Sequence, residues 1–471
     1  MTYGKAVKYL ESFIGKIVFN VKASKDPLKR MRTFLSLLDN PQNKFKSILV
    51  GGTSGKGSTA YLLSHILKVS GYKTGLTLSP HLQKVNERLQ INGKEISDET
   101  FAKLTTSMIR IIETMRKMPV GAPSYFEILV GMAFKYFADQ KVDIAVAEVG
   151  MGGEFDATNT LNPLITALTN VSLDHINILG KTVEKIARTK AGIIKIEDLR
   201  FKINESTTDY KSLIINRKSP VVVSGVKQPS VVKIVEDRCE KVGAKLNLLW
   251  RNFGYRIKKE NASGIDFDFI SHEETLSDLK LSLLGQYQAE NASLAIKTIL
   301  ELRKFGFKIP DGQIRKALKT AFFPGRFEVK KMKIVLDGAH NPTKMKDFLK
   351  SLQKIFPKER KVFIVGFKFD KDIKKMLKEI ARVAEEIIVT QFQAKTDLNL
   401  HASAEATKIK NQISRLHTGS SGQAKLKKVV VEKDSKKALK IGLKTIQQSG
   451  SPSILVVTGS LYLVGEIRNQ I

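Results

Sequence analysis

The stretch Lys46 to Thr59, KSILVGGTSGKGST, sets the fold class. Its first half is a short apolar run ending in glycine, the mark of a buried strand. The segment that follows, TAYLLSHILKVSG, spaces its apolar residues as a helix does and stops at a glycine. Between them lies the glycine-rich loop Gly51-Gly52-Thr53-Ser54-Gly55-Lys56-Gly57-Ser58-Thr59. Glycines let a backbone wrap closely around phosphates and turn its N–H groups toward them, and a helix N-terminus adds partial positive charge. Lys56 is placed to contact the β- and γ-phosphates of a nucleotide, and Ser58 to ligate Mg²⁺. The spacing departs from G-x-x-x-x-G-K-[ST], because Gly57 separates Lys56 from Ser58 and the loop is shorter. A tight strand-to-helix turn with no ligand is the alternative reading.

Working outward, KTGLTLS (73–79) reads as the next strand, followed by helices near Asp98 to Met118 and Ser124 to Gln140. VDIAVAEVG (142–150) and LITALTNV (164–171) read as buried strands. This alternation predicts an α/β chain whose N-terminal domain is a P-loop-type, doubly wound parallel sheet. From about Leu199 to Leu284 the pattern is less regular, with short β-rich pieces, before a long helix from Gln286 to Arg303. Phe322-Phe323-Pro324-Gly325 is a turn-forming break. Beyond it strands and helices alternate again through KIVLDGA, KVFIVGF, EEIIVT, KKVVV and ILVVTGS, which predicts a smaller Rossmann-like α/β domain. The expected division is residues 1–322, a linker at 323–325, and 326–471. TGSSGQAKLKK near Thr418 reads as a loop.

Composition narrows the function classes. The 471 residues contain one cysteine, Cys239, which excludes an internal disulfide and a cysteine-built metal site and fits a reducing cytoplasm. No apolar run approaches the length of a membrane span, and the N-terminal segment MTYGKAVKYLESFIGKIVFN reads as an amphipathic helix. The formal charge of +33 suggests either a nucleic-acid binder or a basic protein with anionic substrates. The lysines are scattered, with no arginine-rich tail and no interleaving of aromatic and basic residues, so a lysine-rich solvated surface without specific nucleic-acid binding is the preferred reading. A nucleic-acid-binding P-loop ATPase is the alternative that charge alone supports.

The loop variant G-T-x-G-K-G-S resembles that of the Mur ligase superfamily. Further blocks narrow the resemblance to the folylpolyglutamate synthase and dihydrofolate synthase family. They are Ser79-Pro80-His81-Leu82, Asn86-Glu87-Arg88, Ile91-Asn92-Gly93, Phe126-Glu127, Glu148-Val149-Gly150-Met151-Gly152-Gly153 and Asp156-Ala157-Thr158-Asn159. Asp174-His175, Lys190-Ala191-Gly192-Ile193-Ile194-Lys195, Gly285-Gln286-Tyr287-Gln288 with Asn291-Ala292, Pro324-Gly325-Arg326, Asp337-Gly338-Ala339-His340-Asn341-Pro342 and Thr458-Gly459-Ser460-Leu461-Tyr462 follow in the same order. The resemblance runs from about Lys44 to the C-terminus. Another Mur-type amino-acid ligase is less favoured, because the phosphate loop begins near residue 51 and leaves no room for a nucleotide-sugar domain before it.

The resemblance implies a cytoplasmic, monomeric ligase. ATP phosphorylates a carboxylate of a folate or of dihydropteroate, and L-glutamate then displaces phosphate to form an amide. ATP would be held by Gly52, Thr53, Gly55, Lys56, Gly57, Ser58 and Thr59, with Asn291 near the adenine, Arg326 on the γ-phosphate and Asp337 on the ribose. Two Mg²⁺ ions are implied, the first held by Ser58, Ser79 and Glu148, the second by His175 and a carbamylated Lys190. His340 would sit near the phosphates or the glutamate. Ser79, Pro80, His81, Phe126 and Asp156 would shape the folate site, Phe126 by stacking on the pterin and Asp156 by hydrogen bonding to it. Composition by itself would make Lys190 a solvated surface lysine, Asn291 a helix-surface amide, Arg326 a linker arginine and Phe126 a core residue. Four positions depart from the family pattern. Ser54 replaces Asn, Glu154 replaces Arg, Thr189 replaces an acidic residue, and the Arg-Ala pair is missing from Thr390 to Lys395.

Overall fold

The computed structural model describes residues 1–15, 26–195, 220–331, 333–393, 397, 403–417 and 426–471. The glycine- and lysine-rich segment beginning at Thr418, the first part of the irregular stretch (199–219), residues 394–395 and the end of the N-terminal segment (16–20) lie outside them.

Eight strands form the first sheet: β1 (Lys46–Gly51), β2 (Thr74–Thr77), β3 (Gln90–Ile91), β4 (Lys94–Glu95), β5 (Ile144–Glu148), β6 (Ile165–Leu168), β7 (Val221–Ser224) and β8 (Lys245–Leu248). Their order is β4-β3-β2-β5-β1-β6-β7-β8, and the six strands from β2 to β8 in that order run parallel. β1 is apolar on both faces because both faces are covered. Leu49 joins the core that holds Phe134 and Phe137 of the helix Tyr125–Asp139. Ile48 and Val50 join the opposite core, with Leu63 and Ile66 of the helix Lys56–Val69.

The irregular stretch resolves into two different structures. β7 and β8 extend the parallel sheet, and β9 (Phe253–Asn261), β10 (Gly264–Ser271) and β11 (Thr275–Leu281) form a separate antiparallel meander in the order β11-β10-β9. Phe267, Phe269 and Leu279 of the meander share a core with Ile296 and Ile299 of the helix Tyr287–Arg303.

The second sheet contains β12 (Glu328–Lys330), β13 (Ile334–Leu336), β14 (Arg360–Val365), β15 (Glu386–Val389), β16 (Lys428–Val431) and β17 (Ser453–Thr458). The order is β12-β13-β17-β14-β15-β16, with only the β12–β13 pair antiparallel. The α/β class, with one mainly parallel sheet in each lobe, is therefore as the alternation predicted, and the antiparallel meander is an addition to it. At the break between them, Phe323 stacks on Tyr61 at 4.9 Å, and the Arg326 guanidinium lies over the Phe323 ring at 5.4 Å. Ion pairs also cross between the sheets' lobes. Lys371 meets Asp174 at 2.9 Å, and Arg88, itself buried, grips both oxygens of Asp397 at 2.5 and 2.9 Å.

Candidate active site

The register of the first sheet places the chemistry. Val50 pairs with Glu148 and Gly51 with Leu168, so the glycine loop, Glu148 and the segment after β6 all emerge at the carboxyl edge of neighbouring strands. Open parallel sheets bind ligands at that edge. The loop is braced from outside. Asn170 accepts from Thr53 N at 2.8 Å through its carbonyl and from Ser54 N at 2.8 Å through its side chain. Lys190 Nζ donates to the Gly52 carbonyl at 2.8 Å.

Gly55 has φ +82°, a left-handed backbone, and a Cβ there would collide with Asn291 Oδ1. Only glycine allows this approach. The helix Lys56–Val69 then begins with no side-chain cap and no acidic residue in its first turn. A cavity of about 400 Å³ opens in front of it. Thr53, Gly55, Lys56, Gly57 and Ser58 line this cavity, whereas Gly52 and Thr59 do not.

Glu148 lies on the same wall. Its Oε2 accepts from Ser79 N at 2.9 Å, and the carboxylate is buried with no cation paired to it among the described residues. A Cβ on Gly57 would stand 3.5 Å from Glu148 Oε1, so the loop and the carboxylate approach closely. Ser58, Ser79 and Glu148 together offer hard oxygen donors, the set Mg²⁺ takes alongside phosphate oxygens. No group of three or more His, Cys, Asp or Glu suited to a metal occurs among the described residues.

His175 shares the cavity with Glu148 and has φ +49°, at the start of a one-turn helix, Ile176–Leu179. Burial, only partly offset by Asp174, pushes its pKa down to about 4, so the ring is neutral at physiological pH. Asp174, whose side chain is largely buried, is nevertheless held well below the ordinary carboxyl range, with Lys371 Nζ at 2.9 Å.

Lys190 corrects the composition-based reading. It is not a solvated lysine: it is 4% exposed beneath the glycine loop and lines neither cavity. Burial and then repulsion by Lys56 push its pKa down to about 7. Asn291, at 6% exposure, is likewise no surface amide, and it lines the first cavity.

The other lobe closes the cavity with Arg326, Asp337 and His340. Arg326 is partly buried against Phe323 rather than a free linker arginine. Asp337 accepts from Phe327 N at 2.9 Å and Ala339 N at 2.8 Å, and burial raises its pKa to about 6. The turn it holds presents Gly338 and His340 to the loop across the cleft.

A second cavity of about 240 Å³ is mainly apolar, with Phe126, Phe155, Met151 and Tyr462 on its walls. Phe126 both packs on the core and lines this space. Asp156 also lines it. Its carboxylate accepts from Met151 N at 2.9 Å and from Thr158 N at 3.0 Å, while burial raises its pKa. His81 lines neither cavity. Its Nδ1 accepts from Arg88 Nε at 3.0 Å, and burial followed by the Arg88 charge pushes its pKa down to about 3. The two cavities meet at a shared wall of Ser79, Pro80, Gly150, His175, His340 and Leu461.

Lys344 and Glu290, which the motifs did not single out, also face the first cavity, as does Tyr287, which a motif contained without a role. Asp174 and Lys371, which bridge the lobes beside it, were likewise not assigned a role. Lys344 was findable, as a lysine in the first turn of a helix, where anions are favoured.

A phosphate-type loop on one lobe, a closing second lobe and an adjoining apolar cavity define a Mur-type ligase. Residues 50–299 match the Mur ligase middle domain, and residues 325–470 match the dihydrofolate synthetase C-terminal domain. The dihydrofolate synthase/folylpolyglutamate synthase of Bacillus subtilis is 31% identical over 97% of this chain and 97% of its own. The folylpolyglutamate synthase of Thermotoga maritima superposes with a TM-score of 0.79 at 31% identity, covering 99% of this chain and 96% of that one. The folylpolyglutamate synthase of Mycobacterium tuberculosis, solved with ADP, gives a TM-score of 0.84 at 25% identity, covering 99% and 98%. The chain belongs to the folylpolyglutamate synthase and dihydrofolate synthase family.

Proposed function

We propose that this protein joins the amine of L-glutamate to a carboxylate of a folate, with ATP cleaved to ADP and phosphate. The observation that carries the reading is the shared wall between the two cavities. A triphosphate bound at the glycine loop and an acid whose ring system fills the aromatic cavity would meet at Ser79, His175 and His340.

The first step forms a bond from a carboxylate oxygen to the γ-phosphorus and breaks the bond to the β,γ-bridging oxygen, releasing ADP. Lys56 and Arg326 offset charge on the phosphoryl oxygens. The glutamate amine, having lost its ammonium proton to solvent, then attacks the carbonyl carbon; phosphate leaves with the bonding pair and takes up the second proton that the nitrogen sheds as the amide forms. The lobes hold the reactants in line and keep water out.

Ser58, Ser79 and Glu148 would hold one Mg²⁺, and His175 with carbamylated Lys190 a second; the ions would supply charge neutralisation at the phosphates. The fit of Lys190 rests on its burial beside the loop and its lowered pKa. A neutral amine can take up carbon dioxide, whereas an ammonium would repel the ion. Asn291 and Asp337 would contact the nucleoside, and Phe126 and Asp156 the pterin.

We assign residues 1–322 to ATP and folate binding, 323–325 to the linker and 326–471 to glutamate ligation. We infer that the protein acts as a monomer, as the resemblance to the family implies. Among the described residues no helix is long and apolar enough to cross a membrane. With its one buried thiol, Cys239, this agrees with work in the cytoplasm on small-molecule substrates.

The test supplies ATP, Mg²⁺ and labelled glutamate, with dihydropteroate or tetrahydrofolate as acceptor. Amide formed on tetrahydrofolate supports the synthase, and amide on dihydropteroate adds the second activity. Lys56→Ala, Glu148→Ala and His175→Ala should each abolish it in a folded protein. ADP release stimulated by nucleic acid, with no amide on either acceptor, would overturn the proposal.

A further inference from the structure

We propose that Lys344 is a catalytic residue that contacts the transferring phosphoryl group, and that His340 acts through it as a positioning residue. The inference rests on the ligase reading above and assigns its phosphate side more closely.

His340 is committed at both ring nitrogens. Nδ1 lies 2.8 Å from the Gly338 carbonyl, an acceptor only, so Nδ1 carries the hydrogen. Nε2 lies 3.1 Å from Lys344 Nζ. In the neutral ring that nitrogen offers a lone pair, which accepts from the ammonium. Burial, then the charges of Lys344 and Lys371, hold the ring well below its ordinary pKa, in keeping with this neutral tautomer. A ring used at both edges has no free N–H for a phosphate. Lys344 keeps two N–H donors beyond the one given to His340.

The placement of Lys344 is otherwise unfavourable. It is the third residue of the helix Pro342–Ile355, and its backbone N–H donates to the Asn341 side chain at 2.9 Å. A cation in the first turn opposes the helix dipole. Burial and the charge of Lys56, partly offset by Asp174, and then the charges of Arg326 and Lys371 also act against the ammonium. Lys344 nevertheless lines the first cavity opposite the glycine loop, with Lys56 and Arg326 on the same space. A terminal phosphate would relieve this repulsion and match the helix end. As the carboxylate oxygen bonds to phosphorus and ADP departs, Lys344 would neutralise charge on the oxygens of the group in transit. No proton moves in that step.

Lys344→Met should lower kcat for amide formation about 100-fold, the scale of losing one preorganised donor. It should weaken binding of a non-hydrolysable ATP analogue while leaving ADP affinity within about twofold; that unchanged affinity also controls for folding. Lys344→Arg should recover at least about tenfold of the lost kcat, and Lys344→Gln stands in if the methionine variant fails to fold. His340→Phe should lose about as much as Lys344→Met, and the double variant should lose no more than either. Near-normal turnover in Lys344→Met, equal loss of ADP and analogue affinity, or losses that multiply in the double variant would each overturn the assignment. If the wild-type chain made no amide on any folate, the ligase reading would fall, yet the analogue-against-ADP comparison would still decide whether Lys344 meets the terminal phosphate.

Discussion

Lys371 Nζ lies 2.9 Å from Asp174 Oδ1, a nearly buried ion pair that ties one lobe to the other one residue before His175. The pair is unequal in what surrounds it. Lys344 also bears on the Asp174 carboxylate, so loss of Lys371 leaves that carboxylate a second cation, whereas loss of Asp174 leaves both lysines without their anion. Asp174→Asn should therefore cost more than Lys371→Met, about 3 kcal/mol against roughly half that, because it strands buried positive charge. Denaturant midpoints of the nucleotide-free variants check the order. Equal costs would mean that the pair acts alone.

Gly150 sits where the cavities meet, and a Cβ there would stand 2.9 Å from Phe126 Cε2 and closer still to its ring tip. The ring is the movable partner, and it borders the aromatic cavity. Gly150→Ala should push Phe126 into the acceptor space and raise the folate KM roughly tenfold, within the usual cost of overpacking. The KM for ATP should change much less. A shift confined to ATP would remove Phe126 from the acceptor site.

Gly55 offers a contrasting case on the nucleotide side. Its left-handed φ of +82° and its approach to Asn291 mean that a methyl group is strained twice. Gly55→Ala should displace Asn291 and lower affinity for ADP by about tenfold or more, at an αL cost of about 1–2 kcal/mol before the clash is counted. Calorimetric titration with ADP measures it. Unchanged affinity would place the nucleotide elsewhere.

The sequence made legible what depends on neighbouring residues. β1, the glycine loop and the helix after it were readable because an apolar run, glycines and helical spacing lie within a few turns of chain. β7 and β8 were read only as short β-rich pieces, because what makes them part of the parallel sheet is the pairing of β7 with β6, far away in sequence. Site residues divide in the same way. Glu148 announces itself as a carboxylate ending an apolar strand. Lys190 carries no such signal: its burial comes from Gly52, far away in sequence, and only resemblance to a family marked it. His81 shows the reverse limit, since a motif named it for the substrate while Arg88 and Asp397 occupy its side of the fold.

Lys190 gives the pH dependence. Its folded pKa, about 7, lies below the ordinary lysine value of 10.5. Between those values the unfolded chain holds a proton that the folded chain has released, so stability rises with pH. Below about pH 7 both states are protonated and the penalty of burying the ammonium is constant. Compared with Lys190→Met, the wild-type protein should gain up to about 1.4 kcal/mol per pH unit between about pH 7 and 10, and nothing below. The comparison uses denaturant unfolding in carbon-dioxide-free buffer without nucleotide or Mg²⁺. A flat difference across that range would mean that the amine stays charged in the fold. The same neutral amine is the form that captures carbon dioxide, so the lysine's absence can be tested chemically as well. Lys190→Ala should lose ligase activity and regain part of it with added acetate or formate, whose carboxylate can occupy the vacated space and restore an anionic oxygen beneath the glycine loop. Rescue by chloride to the same extent would refute a carboxylate-like role for this side chain.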